Sequence, residues 1–309
     1  MRRPHRLLAG VAVAACLVLV GGALGLISPR SLAGASGWSA VVLATLFGYG
    51  ALGRRVLHVE LGPGEQLAVG TIAWIAVTGV LLAVGVASRI PLLVLAAGGV
   101  GLAFHDLVTR ARAAGDTGAR WSPAVLVLVA LLGIYLLATI AGWVGSRGNP
   151  YDDHVAYTGL VKRVLDCGDL VEPFSFRRLS AYGGQTMLLA LAGARGDVES
   201  IDLLDRGIFH AIAVLLVIDV IRRRKLNFAA GALIVFFMLS LWDLALNCAS
   251  VWTGFTLFGA AYTFATREDM APRTSLVLAF AACGAACTLR QNYLAPAGLF
   301  AALLLLGYV

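Results

Sequence analysis

The chain has 309 residues, 60% of them hydrophobic and 13% charged, with a mean hydropathy of +0.86. A soluble domain carries about a quarter charged residues, so this composition excludes an ordinary soluble protein and indicates a polytopic membrane protein. The formal net charge of +7 comes from short basic clusters between apolar runs, and the lack of a basic face with interleaved aromatics argues against nucleic acid as a partner.

A membrane-spanning helix needs about 20 apolar residues. About ten candidate spans follow in chain order, at residues 7–27, 38–53, 67–87, 90–108, 123–144, 204–221, 227–246, 249–266, 274–289 and 292–309. The first follows Met1-Arg-Arg-Pro-His-Arg6. Its apolar run is too long for a signal peptide and no clean cleavage site follows, so it reads as an uncleaved first helix. The last span runs to Leu303-Leu-Leu-Leu-Gly-Tyr-Val309 without a polar flank, and the expectation is a C-terminally truncated sequence. The fold class is therefore all-α, a polytopic transmembrane helix bundle.

Arginine and lysine set the orientation, because cytoplasmic loops are enriched in them. Arg2, Arg3, Arg6, Arg54, Arg55, Arg110, Arg112, Arg120, Arg222, Arg223, Arg224, Lys225, Arg267 and Arg273 then fall inside. Arg30 and Arg89 fall in outer loops. This assignment puts the N-terminus in the cytoplasm and all of residues 145–203 on the outer side of the plasma membrane.

That outer segment has structure of its own. Tyr157, Leu160, Val161, Val164 and Leu165 repeat at helical spacing, with Gly168 as a stop signal and Asp152 or Asp153 as a start. A second apolar stretch, Met187 to Ala192, follows Gly183-Gly184 and is too short to span. Both read as helices lying on the outer membrane surface. Glu172, Lys162, Arg163 and Gln185 read as solvated positions of the same loop. Gly62-Pro-Gly-Glu65 reads as a turn and not as a phosphate loop, because no strand precedes it.

Asn149-Pro-Tyr-Asp-Asp-His-Val-Ala-Tyr157 opens the outer segment and carries the densest chemistry. Two adjacent carboxylates beside lipid raise one another's pKa, which suits Asp152 and Asp153 to acid–base work; the bland alternative is a helix N-cap. His154 can orient a carboxylate, bind a metal or simply be solvated. Asp243, in Leu241-Trp-Asp-Leu-Ala-Leu-Asn247, is either an intramembrane functional carboxylate or an interfacial residue beside a Trp242 anchor. Arg290 falls on the outer side against the charge pattern, where it either holds an anion such as a lipid phosphate or snorkels to headgroups. Arg177 and Arg178, beside Phe174 and Phe176, can bind a phosphate or anchor at the surface. His105, Asp106 and Asp219 read as partners of nearby arginines. Cys283 and Cys287 share a helix face with no His or carboxylate beside them, so a metal site is not expected there. Cys167 and Cys248 fall on one side of the membrane, where pairing is open to them.

A helix leading outward, an acidic pair with an aromatic after it, two surface helices and a crossing that ends in a basic cluster resemble the GT-C glycosyltransferases. These are polytopic enzymes that use polyprenyl-phosphate sugars, the aminoarabinose transferases and protein mannosyltransferases among them. The resemblance covers residues 123–309, with 1–122 as additional N-terminal transmembrane helices. It implies that Asp152 is the catalytic base, that Asp153 stands where the family usually has Glu, and that Tyr157 is the following aromatic. It further implies that Asp243 is a second acidic site residue and that Arg290, with Arg177 or Arg178, holds the lipid phosphate. It allows a divalent cation near Asp152 and Asp243. The implied partners are a polyprenyl-phosphate-linked sugar donor and a glycan, lipid or protein acceptor. Two other classes stay open: a transporter or flippase for lipid-linked glycan, which would want midplane charges and matched halves, and a non-catalytic envelope-assembly protein.

Overall fold

The computed structural model describes residues 29–117, 157–170, 183–196, 201–240, 248 and 250–308. Among the described residues the chain is helical, without a strand. The helices are α1 (Pro29–Val56), α2 (Pro63–Ala83), α3 (Arg89–Thr117), α4 (Gly159–Cys167), α5 (Gly184–Gly193), α6 (His210–Arg223), α7 (Phe228–Ser240), α8 (Val251–Ala265), α9 (Pro272–Cys287) and α10 (Leu294–Tyr308). A π-helical turn, Leu204–Phe209, leads into α6, and a 3-10 turn, Gln291–Tyr293, leads into α10.

Three stretches are long and apolar enough to cross a membrane: Ala33–Val56, Pro63–Ala83 and Arg89–Arg112. Ala229–Ser240, Pro272–Cys287 and Gln291–Gly307 are apolar but shorter. The expected spans at 7–27 and 123–144 lie outside the described residues. Each of the others has a helix at its place, but among the described residues only those three stretches are long enough to count as full spans. The reason is length: α8 has 15 residues, and at 1.5 Å per residue a helix of that size rises about 22 Å, against about 30 Å of hydrocarbon. Val80, Ile90, Val94, Phe104, Phe236, Phe237, Leu299 and Leu306 all point outward and are exposed. Lipid is the solvent that suits such a surface, in keeping with a membrane protein.

α2 is the hub, packing against α1, α5, α6, α8 and α9. Small residues make this possible. A Cβ on Gly70 would lie 1.7 Å from the Leu46 carbonyl oxygen, and one on Gly64 would lie 2.2 Å from the Leu216 nitrogen. Between α1 and α3, a Cβ on Gly48 would lie 1.8 Å from the Gly99 carbonyl oxygen. Close backbone approach of this kind maximises dispersion contact where lipid supplies no hydrophobic drive between helices.

One end of the bundle is basic and tightly paired. Asp106 on α3 has no exposure and meets Arg54 at 2.8 Å, Arg110 at 2.9 Å and Arg55 at 3.4 Å. Arg55 also bonds His105 at 2.8 Å, and Gln66 donates to Asp106 at 3.4 Å. Glu65, equally buried, meets Arg223 at 2.5 Å and Arg267 at 3.2 Å. Asp269 accepts from Arg267 and Arg223 outside the helices, and the Arg267 hydrogen bonds hold its carboxyl below the usual range. Arg54, Arg55, Arg110, Arg223 and Arg267, assigned to one side from charge alone, thus gather at one end of the bundle.

Asp219 departs from the arginine pairing expected for it. Its carboxylate accepts from the backbone N–H of Gly64 at 2.7 Å and of Glu65 at 3.2 Å. These amides open α2 and have no partner within their own helix, so a carboxylate from α6 satisfies them and the helix dipole together. The Gly62-Pro63-Gly64-Glu65 turn is this helix start, with Pro63 at the first helical position and the Gly62 N–H donating to the Glu65 carboxylate at 2.9 Å.

The two short helices expected between residues 145 and 203 form, with one correction. α4 buries Leu160, Val161, Val164 and Leu165 on one face and ends at Gly168, which adopts φ 82° as a left-handed cap. α5 is no surface helix. All ten of its residues are buried, and α1, α2, α3 and α4 pack around it. The apolar stretch carries no polar face to offer to water, and two tryptophans take up its carbonyls. Trp38 Nε1 donates to Ala192 at 2.7 Å and Trp74 Nε1 donates to Met187 at 3.2 Å.

Removing the Glu65 carboxylate leaves two arginines facing a dry site. Glu65→Ala is expected to lower unfolding stability by about 3–5 kcal/mol, read by thermal unfolding in detergent. Glu60→Ala, at a side chain 90% exposed, should change it by under about 0.5 kcal/mol.

Candidate functional site

The end of the bundle opposite the charge network gathers a second set of polar groups. It begins where α9 stops. The Thr288 carbonyl accepts from the Gly184 N–H at 3.1 Å, which fastens the start of α5 to the end of α9. A Cβ on Gly184 would lie 2.0 Å from Thr288 Oγ1, so only glycine allows this approach. The chain then turns through Arg290 in an extended conformation and enters the 3-10 turn. Tyr293 anchors that turn, its hydroxyl donating to the Ser250 carbonyl at 2.6 Å. Its ring lies where a Cβ on Gly254 would sit, 2.5 Å from the ring carbon Cζ.

Arg290 is held between these anchors. Its guanidinium carbon lies 5.3 Å from the centroid of the Tyr157 ring, and Nη2 donates to the Tyr157 hydroxyl. Tyr157 is 8% exposed while Arg290 is half-buried. A guanidinium held against an aromatic ring and its hydroxyl keeps its remaining N–H donors for an anion. Two residues singled out from the sequence, 133 positions apart, are thus brought together. Asp152, Asp153, His154, Arg177, Arg178 and Asp243 lie outside the described residues.

Behind this pair, α6 and α8 meet through buried polar groups. Asp205 accepts from the backbone N–H of Thr253 at 2.8 Å and of Trp252 at 3.1 Å, and from the Thr253 hydroxyl at 2.8 Å. A carboxylate on the π-helical turn therefore caps the start of α8. The His210 ring stacks on Trp252 at 3.8 Å and 11°, with Nε2 at 3.0 Å from the Met238 carbonyl oxygen. Cys248 Sγ donates to Asp202 at 3.1 Å, and Gln185 Nε2 lies 3.5 Å from the Cys248 carbonyl oxygen. The acceptor atoms Gln185 Oε1 and Ser250 Oγ are buried without a hydrogen-bond partner among the described residues.

Two expectations change here. Gln185, read as solvated, is 2% exposed, because α5 carries it inward. Cys167 and Cys248 do not pair with one another: the Cys167 thiol is free and exposed, and the Cys248 thiol is buried and donates to Asp202. Cys283 and Cys287 are free too, and no group of three metal-ligating side chains occurs among the described residues.

Sequence reading passed over Asp202, Asp205 and His210. The signal was present: two acids three residues apart and a histidine open an apolar span, and polar groups within such a span are costly unless paired. The π-helical turn that aims Asp205 at α8 has no comparable signature, although such turns are frequent at functional sites.

No protein-family model matches the chain, and no characterised protein or solved structure is detectably similar to it. The site is therefore read from its own residues.

Gly184→Ala should separate α5 from α9 and destabilise the protein by about 1–3 kcal/mol, as overpacking does. The double variant with Thr288→Ala, which removes the clashing Oγ1, should recover much of that loss in the same thermal assay.

Proposed function

We propose that this chain is a membrane glycosyltransferase of the GT-C type, moving a sugar from a polyprenyl-phosphate donor to an acceptor on the outer face of the plasma membrane. In this reading the basic end is cytoplasmic, and the end carrying Tyr157 and Arg290 faces outward. The observation that carries the reading is the Arg290–Tyr157 pair. Asp153 precedes Tyr157 by four residues in sequence, and four residues reach at most about 14 Å. Asp152, one residue further away, is held by the chain within about 18 Å of the Tyr157 backbone.

Asp152 acts as the general base. It removes the proton of an acceptor hydroxyl, whose oxygen attacks the anomeric carbon of the donor sugar. The bond from that carbon to the phosphate oxygen breaks, and polyprenyl phosphate leaves with the electron pair. Arg290, oriented by Tyr157, stabilises the charge that develops on the leaving phosphate. Arg177 or Arg178 adds to it. Asp153 and Asp243 complete the acidic side of the site, and a divalent cation there would neutralise donor phosphate further. Inversion at the anomeric carbon needs only one base.

The test is transfer or hydrolysis of a polyprenyl-phosphate sugar by the purified protein in detergent or nanodiscs. Asp152→Ala should abolish turnover and leave donor binding within a few-fold. Arg290→Ala should lower kcat by roughly 10²–10³, the loss typical for one stabilising donor at a developing oxyanion. A wild-type protein that binds donor without turnover would support the non-catalytic assembly role instead, and loss of binding in Asp152→Ala would remove the base assignment.

A further inference from the structure

The ends of three helices close in the same way, with one difference in residue choice. In each, the N–H of the first residue beyond the cap bonds three residues back and the next N–H bonds five residues back. After α2 these bonds run from Gly85 to Leu82 and from Val86 to Leu81. After α1 they run from His58 to Arg55 and from Val59 to Arg54, and after α6 from Lys225 to Arg222 and from Leu226 to Ile221. This closure needs a left-handed residue, and glycine fills it without steric cost. Gly85 does so at φ 71°. At the basic end the position is held by His58 at φ 52° and Lys225 at φ 50°, the only non-glycine residues with positive φ among those described. A side chain kept in a conformation that disfavours it points to a use for that side chain.

The turn after α6 is where that use is legible. Arg222, Arg224 and Lys225 are exposed. The carboxylates of this end are engaged elsewhere: Asp106 by α1 and α3, Glu65 by Arg223 and Arg267, and Asp219 by the α2 amides. No ion pair joins Arg222, Arg224 or Lys225 to a carboxylate among the described residues, although Asp219 lies near enough to feel Arg222. Of the exposed acids at this end, Asp269 is taken up by Arg223 and Arg267, and Glu268 and Glu60 leave the turn itself cationic. Immediately after it, Leu226 is 45% exposed, and α7 presents Leu233, Ile234, Phe236 and Phe237 outward. Three cations thus sit on a hydrogen-bonded turn directly beside an apolar, lipid-type surface.

We infer that the Arg222–Arg224–Lys225 turn is a binding site for the headgroups of anionic phospholipids. The occupant follows from charge complementarity and from position: the cations lie at the foot of an apolar helix face, where a headgroup phosphate stands above its own acyl chains. A basic residue near an anionic membrane surface strengthens binding roughly fivefold. The inference does not depend on the reaction proposed above.

The experiment titrates the full chain in neutral detergent with phosphatidylglycerol or with phosphatidylcholine and follows thermal unfolding. Phosphatidylglycerol should raise the melting temperature saturably and phosphatidylcholine should not. Arg222→Gln, Arg224→Gln and Lys225→Gly combined should weaken the apparent phosphatidylglycerol affinity by roughly a hundredfold, that is, about fivefold for each of three residues. Lys225→Gly alone should melt no lower than wild type without lipid, because glycine suits the left-handed position, and should lose about fivefold in lipid affinity. Lys162→Gln, exposed at the other end of the bundle, should leave the response unchanged. An equal response to both lipids, or an unaltered response in the triple variant, would overturn the inference. So would a Lys225→Gly protein that melts lower in detergent while keeping its lipid response, since Lys225 would then be structural.

Discussion

Glu65 has no solvent exposure and lies between Arg223 and Arg267, so one carboxylate on α2 holds the last turn of α6 and the segment after α8. Beside it, Asp219 of α6 closes on the first amides of α2. Each helix supplies the group that the other lacks. Unpaired, either carboxylate would have to leave this dry junction or lose its charge. The helices are rigid rods, so fixing α2, α6 and α8 at this end also fixes their azimuth and register at the other. The second junction, where Asp205 meets the start of α8, works the same way at the opposite end of the same helices. Between them the bundle is apolar and close-packed, and small residues set the spacing.

This division of labour explains why the candidate site sits where it does. Arg290 belongs to a non-helical segment, and irregular backbone in a membrane protein is tolerated where protein encloses it. Here α5 supplies the enclosure from one side and α8 from another, each through a glycine that removes the side chain which would bar the approach. Tyr157 then gives the guanidinium a defined orientation. A long flexible side chain becomes a positioned group because its neighbours, not its own helix, restrict it.

The helical class, the places of the helices and the gathering of arginines at one end were all legible in the sequence, because hydropathy and charge act locally and additively along a chain. Gly168 as a stop and the apolar face of α4 were legible for the same reason. What could not be read is what depends on a distant partner. The stretch Met187 to Ala192 looks alike whether it lies on a membrane or inside a bundle, and the two tryptophans that decide the matter are over a hundred positions away. Asp219 was expected to pair with a nearby arginine, and the start of a neighbouring helix takes it instead. Tyr157 and Arg290 were each singled out in the sequence, but the direct contact between them could not be read there.

The burial of α5 also has a consequence for the order in which the molecule is made. Its walls come from both directions along the chain: Trp38 and Trp74 are synthesised before it, and Thr288 after it. Synthesis runs from the N-terminus, so α5 emerges with one side of its niche waiting and the other not yet translated. Its first turn can be fastened only when α9 has been made and its last turn is in place. Arg290 follows α9 directly, so its surroundings are among the last parts of the described structure to take shape. A nascent chain stalled before α9 would already hold the packing of α1, α2 and α3 and still lack the Arg290 that meets Tyr157.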